Sequence, residues 1–167
     1  MLPELSIQRI LTEYVRNTSR ETRLPVTDLQ ILLAHILGKT RPWILAHPEA
    51  ILEPTEYAGF QEAIAQLDAG IPLPYILGHW EFFGLDLLVT PDVLIPRPET
   101  ELLVETAISW SRSLCREQEG SLKTRPQIYD VGTGSGCIAV SLAVNLTEAY
   151  FTATDISAAA LEIACLN

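Results

Sequence analysis

Tyr129-Asp130-Val131-Gly132-Thr133-Gly134-Ser135-Gly136, with Thr154-Asp155-Ile156-Ser157 downstream, decides how this chain is read. Gln127 to Gly132 runs as a buried strand, and glycines at alternate positions then let the backbone turn sharply into a helix over Cys137 to Asn145. Tyr150 to Thr154 is a second β-type run, ending in a carboxylate, Asp155, that stands 23 positions beyond Gly132. Missing β-carbons let a ligand approach the turn, and helix N-terminal amides can meet negative charge on it. The carboxylate can accept two hydrogen bonds from ribose hydroxyls. In register, these parts describe a device that holds a nucleoside cofactor, a binding role rather than a catalytic one. A plain βα turn beside a surface aspartate would share the glycines without needing the full spacing. The dinucleotide fingerprint wants its third glycine three positions after the second. Here Gly134 and Gly136 are two apart, and an acid, Asp130, precedes the first glycine.

Upstream, Ile7, Ile10, Leu11, Tyr14 and Val15 recur at helical spacing. So do Leu29, Leu32, Leu33, Ile36 and Leu37 after Thr27-Asp28, with Gly38 placed as a C-terminal cap. Pro42 can open a third helix, and a fourth runs from about Thr55 to Ala69, ending at Gly70. Residues 1–70 are thus expected to form a small helical bundle. From Ile71 the texture changes to prolines, aromatics and short β-like runs, and Gly84 sits between two runs as a hairpin turn. Residues 71–95 are the expected hairpin linker. Pro96-Arg97-Pro98-Glu99-Thr100-Glu101 announces a helix, with proline and carboxylates suited to its first turn and Leu102, Leu103, Ala107, Ile108 and Trp110 as its apolar side. Arg116 to Arg125 is expected as a loop before the first central strand.

Composition narrows the classes further. At 167 residues and 48% hydrophobic content the chain can bury a core. Its net charge of -10, with no basic residue after Arg125, argues against a nonspecific nucleic-acid binder. Cys115, Cys137 and Cys165 suit neither a disulfide framework nor a zinc site, and His35, His47 and His79 lack metal-ligand spacing. No metal is expected. Trp43, Trp80 and Trp110 have no basic stripe beside them and are expected to pack rather than stack on bases. No apolar run reaches membrane-spanning length and no leader is evident at Met1-Leu2-Pro3-Glu4, so a reduced cytoplasmic setting without membrane contact is expected.

The acid-preceded glycine turn resembles the first motif of class I Rossmann-like methyltransferases. Pro74-Tyr75-Ile76-Leu77-Gly78 leading to Phe82-Phe83-Gly84, the stretch from Val93 through Pro96-Arg97-Pro98-Glu99-Thr100 to Glu105, and Asp130 to Gly136 together resemble the release factor glutamine methyltransferases, the PrmC or HemK family. The resemblance covers nearly the whole chain, as the N-terminal part of that family. It implies an α/β architecture: a helical substrate-docking domain over residues 1–70, a hairpin linker over 71–95, and the incomplete start of a methyltransferase domain over 96–167. It implies methyl transfer from S-adenosylmethionine to the glutamine of the Gly-Gly-Gln motif in peptide chain release factors. The positions that match the family's cofactor contacts are Thr100, Asp130, Gly132, Thr133, Gly134, Ser135, Gly136 and Asp155. No catalytic residue is assigned, because the family's Asn-Pro-Pro-Tyr loop has no counterpart in these residues. Two parallel strands with apolar faces cannot cover themselves. The polypeptide made alone is therefore expected to be inactive, and to aggregate or leave its C-terminal third disordered. Two other readings share the motifs. One is a nucleic-acid adenine methyltransferase fragment, disfavoured by the acidic balance. The other is a non-catalytic module that binds release factors.

Overall fold

The computed structural model describes residues 5–17, 24–117 and 125–167. It divides into two compact units between Leu77 and Gly78, within the segment 71–95.

The first unit is helical. It comprises α1 (Ile7–Asn17), α2 (Val26–Ile36), α3 (Arg41–Ala46), α4 (Pro54–Asp68) and α5 (Leu73–Leu77). α2 is its axis, because Leu29, Leu32 and Leu33 are fully buried and α1, α3, α4 and α5 all pack against it. Ile7, Ile10, Ile44, Phe60, Ala63 and Leu67 close the core from the surrounding helices. Local chemistry sets the helix starts. The Thr40 hydroxyl accepts from Trp43 N–H at 3.4 Å, and the Glu53 N–H donates to the Glu56 carboxylate at 2.7 Å. Gly38 and Gly70 follow α2 and α4 with positive φ, as the sequence predicts for helix stops. His47 stacks on Trp43 with ring centroids 4.3 Å apart, a packing role.

Over Ile71–Leu77 the structure departs from the expected β-like run and forms α5. Prolines at 72 and 74 fix φ near the value shared by extended chain and a helical first turn, so the sequence permits both. Tyr75 N–H bonded to Pro72 O at 3.0 Å selects the helix, which Gly78 ends at φ 77°.

The second unit contains a hairpin, β1 (His79–Phe82) and β2 (Leu85–Leu88), then α6 (Pro98–Glu117), β3 (Gln127–Val131), α7 (Cys137–Asn145), β4 (Tyr150–Thr154) and α8 (Ala158–Leu166). The expected loop at 116–125 lies outside the described residues over 118–124, and α6 runs up to Glu117. The hairpin turns through Phe83 and Gly84, both with positive φ, as a tight two-residue connection requires. Phe83 is bulky for that conformation, and its N–H is held by the Glu101 carboxylate of α6 at 3.1 Å. His79 Nδ1 meets the Asp86 carboxylate at 2.6 Å across the two strands.

β3 and β4 pair in parallel, Gln127 against Tyr150 through Val131 against Thr154, with α7 as the connection between them. The resulting βαβ unit packs Leu142 of α7 and Leu146 just past its end with Val104 and Ile108 of α6 and Phe82 and Leu87 of the hairpin. α6 begins at Pro98 rather than Pro96, because a residue before proline is disfavoured in helical conformation and Arg97 is thereby kept out. Its buried stripe is Val104, Ile108 and Ser111, while Leu102, Leu103 and Trp110 are exposed, Trp110 at 68%. The expected apolar side thus combined residues from two faces. The strand expected to be buried over 127–132 is not: with one neighbouring strand, Tyr129, Val131 and Tyr150 leave one side of the two-stranded sheet open, Val131 at 83% exposure. Among the described residues no helix is long and apolar enough to cross a membrane.

Candidate cofactor site

The glycine turn is built at the carboxyl end of β3, where the chain leaves the sheet for α7. Two amides close it onto the neighbouring strand: Gly132 N–H and Thr133 N–H both donate to Thr154 O, at 2.8 and 3.0 Å. Inside the turn, Gly136 N–H returns to Thr133 O at 2.9 Å. The Thr133 hydroxyl donates to Asp130 Oδ2 at 2.7 Å, and Thr133 is only 5% exposed. The acid before the first glycine therefore braces the turn from within. Gly132, Gly134 and Gly136 have φ of 80°, 56° and 79°, a region that side chains with a β-carbon rarely occupy.

The glycines differ in what surrounds them. A Cβ at Gly132 or Gly134 would stand in open space, whereas at Gly136 it would meet Ala164 Cβ at 3.2 Å and Ala164 Cα at 3.3 Å. The first two leave bare backbone facing outward. The third lets α8 pack against the start of α7. Ser135 between them is 2% exposed.

Asp155, just past β4, is drawn into the same corner. Its Oδ2 accepts from Gly134 N–H at 2.8 Å, and its Oδ1 accepts from Ser157 N–H at 2.9 Å. These bonds, Ser157 first and Gly134 second, hold its carboxyl below the usual carboxylate range. A carboxylate offers about four lone-pair sites, so each oxygen retains capacity for a further donor. A vicinal diol presents two donors at the spacing of such a pair. At the start of α7 the N-cap residue is Gly136, which has no side chain with which to cap the helix.

The structure brings together Asp130, Gly132, Thr133, Gly134, Ser135, Gly136 and Asp155. Thr100 lies in the first turn of α6, half-buried, with its N–H turned to Arg97 O at 2.9 Å. Cys137, the first residue of α7, has its thiol pushed up chiefly by burial, with the Asp130 charge adding to the shift. Two contributors escaped the sequence reading. Ser157 caps α8 by accepting from Ala160 N–H at 3.2 Å and gives its own N–H to Asp155, and a serine before an alanine-rich helix is a visible cap signal. Asn167 reaches the turn from the far end of α8, and no local pattern announces it.

Comparison with known proteins finds similarity to proteins named as methyltransferases. Residues 7–78 match the family described as the PrmC N-terminal domain. A release factor glutamine methyltransferase of Bordetella pertussis is 46% identical over 141 residues, which cover 84% of this chain and 49% of that protein. The proteins of the same name from Coxiella burnetii and Moorella thermoacetica are 37% and 40% identical, covering 98% of this chain and 56% and 55% of their own lengths. Over most of its length the chain is similar to release factor glutamine methyltransferases. It spans about half the length of the curated relatives it matches.

Proposed function

We propose that the chain is the cofactor-holding and substrate-docking part of a protein-(glutamine-N5) methyltransferase, which moves a methyl group from S-adenosylmethionine to the Gly-Gly-Gln glutamine of peptide chain release factors in the cytoplasm. The observation that carries this reading is Asp155, fixed by Gly134 and Ser157 amides beside an open glycine turn, in a chain similar to release factor glutamine methyltransferases. On this reading residues 96–167 begin a class I Rossmann-like domain, 71–95 link it, and 1–70 dock the release factor. No nucleic acid or membrane takes part.

S-adenosylmethionine supplies an electrophilic methyl group on sulfonium sulfur. Gly132 and Gly134 offer it backbone without side chains, Asp155 takes the ribose hydroxyls, and Asp130 with Thr133 keeps the turn in shape. Thr100 borders the cleft. The acceptor side asks for more, because an amide nitrogen is a weak nucleophile whose lone pair is delocalised. Its hydrogens must be oriented by fixed acceptors and its attack aligned with the methyl-sulfur bond. No Asn-Pro-Pro-Tyr occurs in residues 1–167. Those residues by themselves carry the cofactor corner without the acceptors that methyl transfer needs.

Calorimetric titration of the chain with S-adenosylmethionine, beside Asp155→Ala, tests the cofactor assignment. Binding that D155A loses supports it, and binding indifferent to D155A overturns it. For the reaction, labelled methyl transfer to a release factor by the longer protein carrying this chain is the readout. Label that persists when the motif glutamine is replaced would overturn the substrate assignment.

A further inference from the structure

The amide of Asn167 makes three hydrogen bonds to two segments far away in sequence. Its Oδ1 accepts from Leu88 N–H at 2.7 Å, and its Nδ2 donates to Leu88 O at 3.1 Å and to Ser135 O at 2.9 Å. Leu88 lies on the outer edge of β2. The side chain therefore pairs with both backbone groups of that residue as a neighbouring strand would, and spends its second donor on the glycine turn. One acceptor and two donors are needed, and a primary amide provides them. Aspartate has the acceptor and no donor when ionised, and alanine has neither.

The bond to Ser135 O matters because of where it falls. The Ser135–Gly136 peptide is held at its N–H by Thr133 O and at its carbonyl by Asn167. Glycines flanking Ser135 can rotate freely, so the turn has little shape of its own and hydrogen bonds must select one. α8 supplies that selection along one face: Ser157 at its start bonds Asp155, Ala164 packs on Gly136, and Asn167 at its end fixes the Ser135 carbonyl.

We propose that Asn167 is a positioning residue for the glycine turn, acting through the Ser135 carbonyl, and so raises affinity for the adenosyl cofactor without touching it. The affinity claim rests on the cofactor reading above; the claim about the turn does not. The test compares the 167-residue chain with Asn167→Ala and Asn167→Asp by amide exchange and by titration with S-adenosylmethionine. N167A is expected to speed exchange at both Leu88 and Gly136. N167D keeps an acceptor for Leu88 N–H and is expected to leave that amide protected while Gly136 exchanges faster. Each variant binds the cofactor about tenfold more weakly, the loss of one well-placed hydrogen bond. Val140 and Leu146 report whether α7 remains folded, and N167D carries the test if N167A unfolds it. Unchanged exchange at Gly136 in N167D overturns the proposal, and so does a loosened turn with undiminished affinity. A wild-type chain with no affinity for S-adenosylmethionine overturns the cofactor reading and the affinity claim together, and the exchange pattern still decides the role in the turn.

Discussion

Replacing each glycine of the turn by alanine should separate two costs that a glycine-rich motif normally confounds. All three residues have positive φ, so each substitution carries the left-handed penalty of about 1–2 kcal/mol. At Gly132 and Gly134 that is the whole effect on stability, since the new methyl meets nothing within 4 Å. At Gly136 the methyl would lie 3.2 and 3.3 Å from Ala164 Cβ and Cα and 3.5 Å from Val140 Cγ2. One of those atoms is backbone, so α8 must shift as a body, and overpacking of this kind adds roughly 1–3 kcal/mol. Gly136→Ala should therefore destabilise by roughly 2–5 kcal/mol. Because the chain has two units, a single melting point would mix them. Amide exchange at Val140 and Leu146 in graded urea reports on the second unit alone. Cofactor affinity should run the other way for Gly134→Ala, which is expected to bind poorly while nearly as stable as Gly132→Ala. A Gly136→Ala chain no less stable than Gly132→Ala would refute the packing argument.

Three other outcomes are expected. Asp155 is depressed, so its contribution to stability is fully present above the unfolded carboxyl value and is lost as pH falls through the lower folded value. Asp155→Asn should remove that acid-side loss, and a carboxyl titration by NMR that finds Asp155 at its ordinary value would contradict it. Thr133→Val deletes the bond to Asp130 and leaves a carboxylate oxygen without its donor, a loss of about 1–3 kcal/mol measurable by urea unfolding. Iodoacetamide at neutral pH should label exposed Cys165 well before Cys137, whose thiol burial pushes up, and mass spectrometry of timed samples would show the order.

The parts of the fold carried by local pattern were legible. Cys137–Asn145 and Tyr150–Thr154 could be bounded because glycines, a strand-forming run and a terminal acid each act within a few residues. The hairpin turn at Gly84 was legible for the same reason, though not the part that Phe83 takes in it. α5 was not, since prolines at 72 and 74 fit two conformations and a backbone bond decided between them. The buried face of α6 was not, because Leu102, Leu103 and Trp110 carry as much apolar character as Val104 and Ile108, and only the position of α7 tells which face is covered. At the candidate site the sequence pointed to Asp130, Asp155 and the glycines. It could not reveal that Asp155 is held by Gly134 from 21 residues away, or that a distant asparagine grips Ser135. Such bonds join groups that no periodicity connects.

The Asn167 pairing has a consequence for synthesis. Leu88 leaves the ribosome 79 residues ahead of its partner, which at typical elongation rates of about 5–20 residues per second is a delay of about 4–16 s. β1 and β2 can form their hairpin within microseconds of emerging. For all that interval the outer N–H and carbonyl of Leu88 lack the amide that later covers them, and the nascent hairpin offers an unguarded strand edge to chaperones or to neighbouring chains.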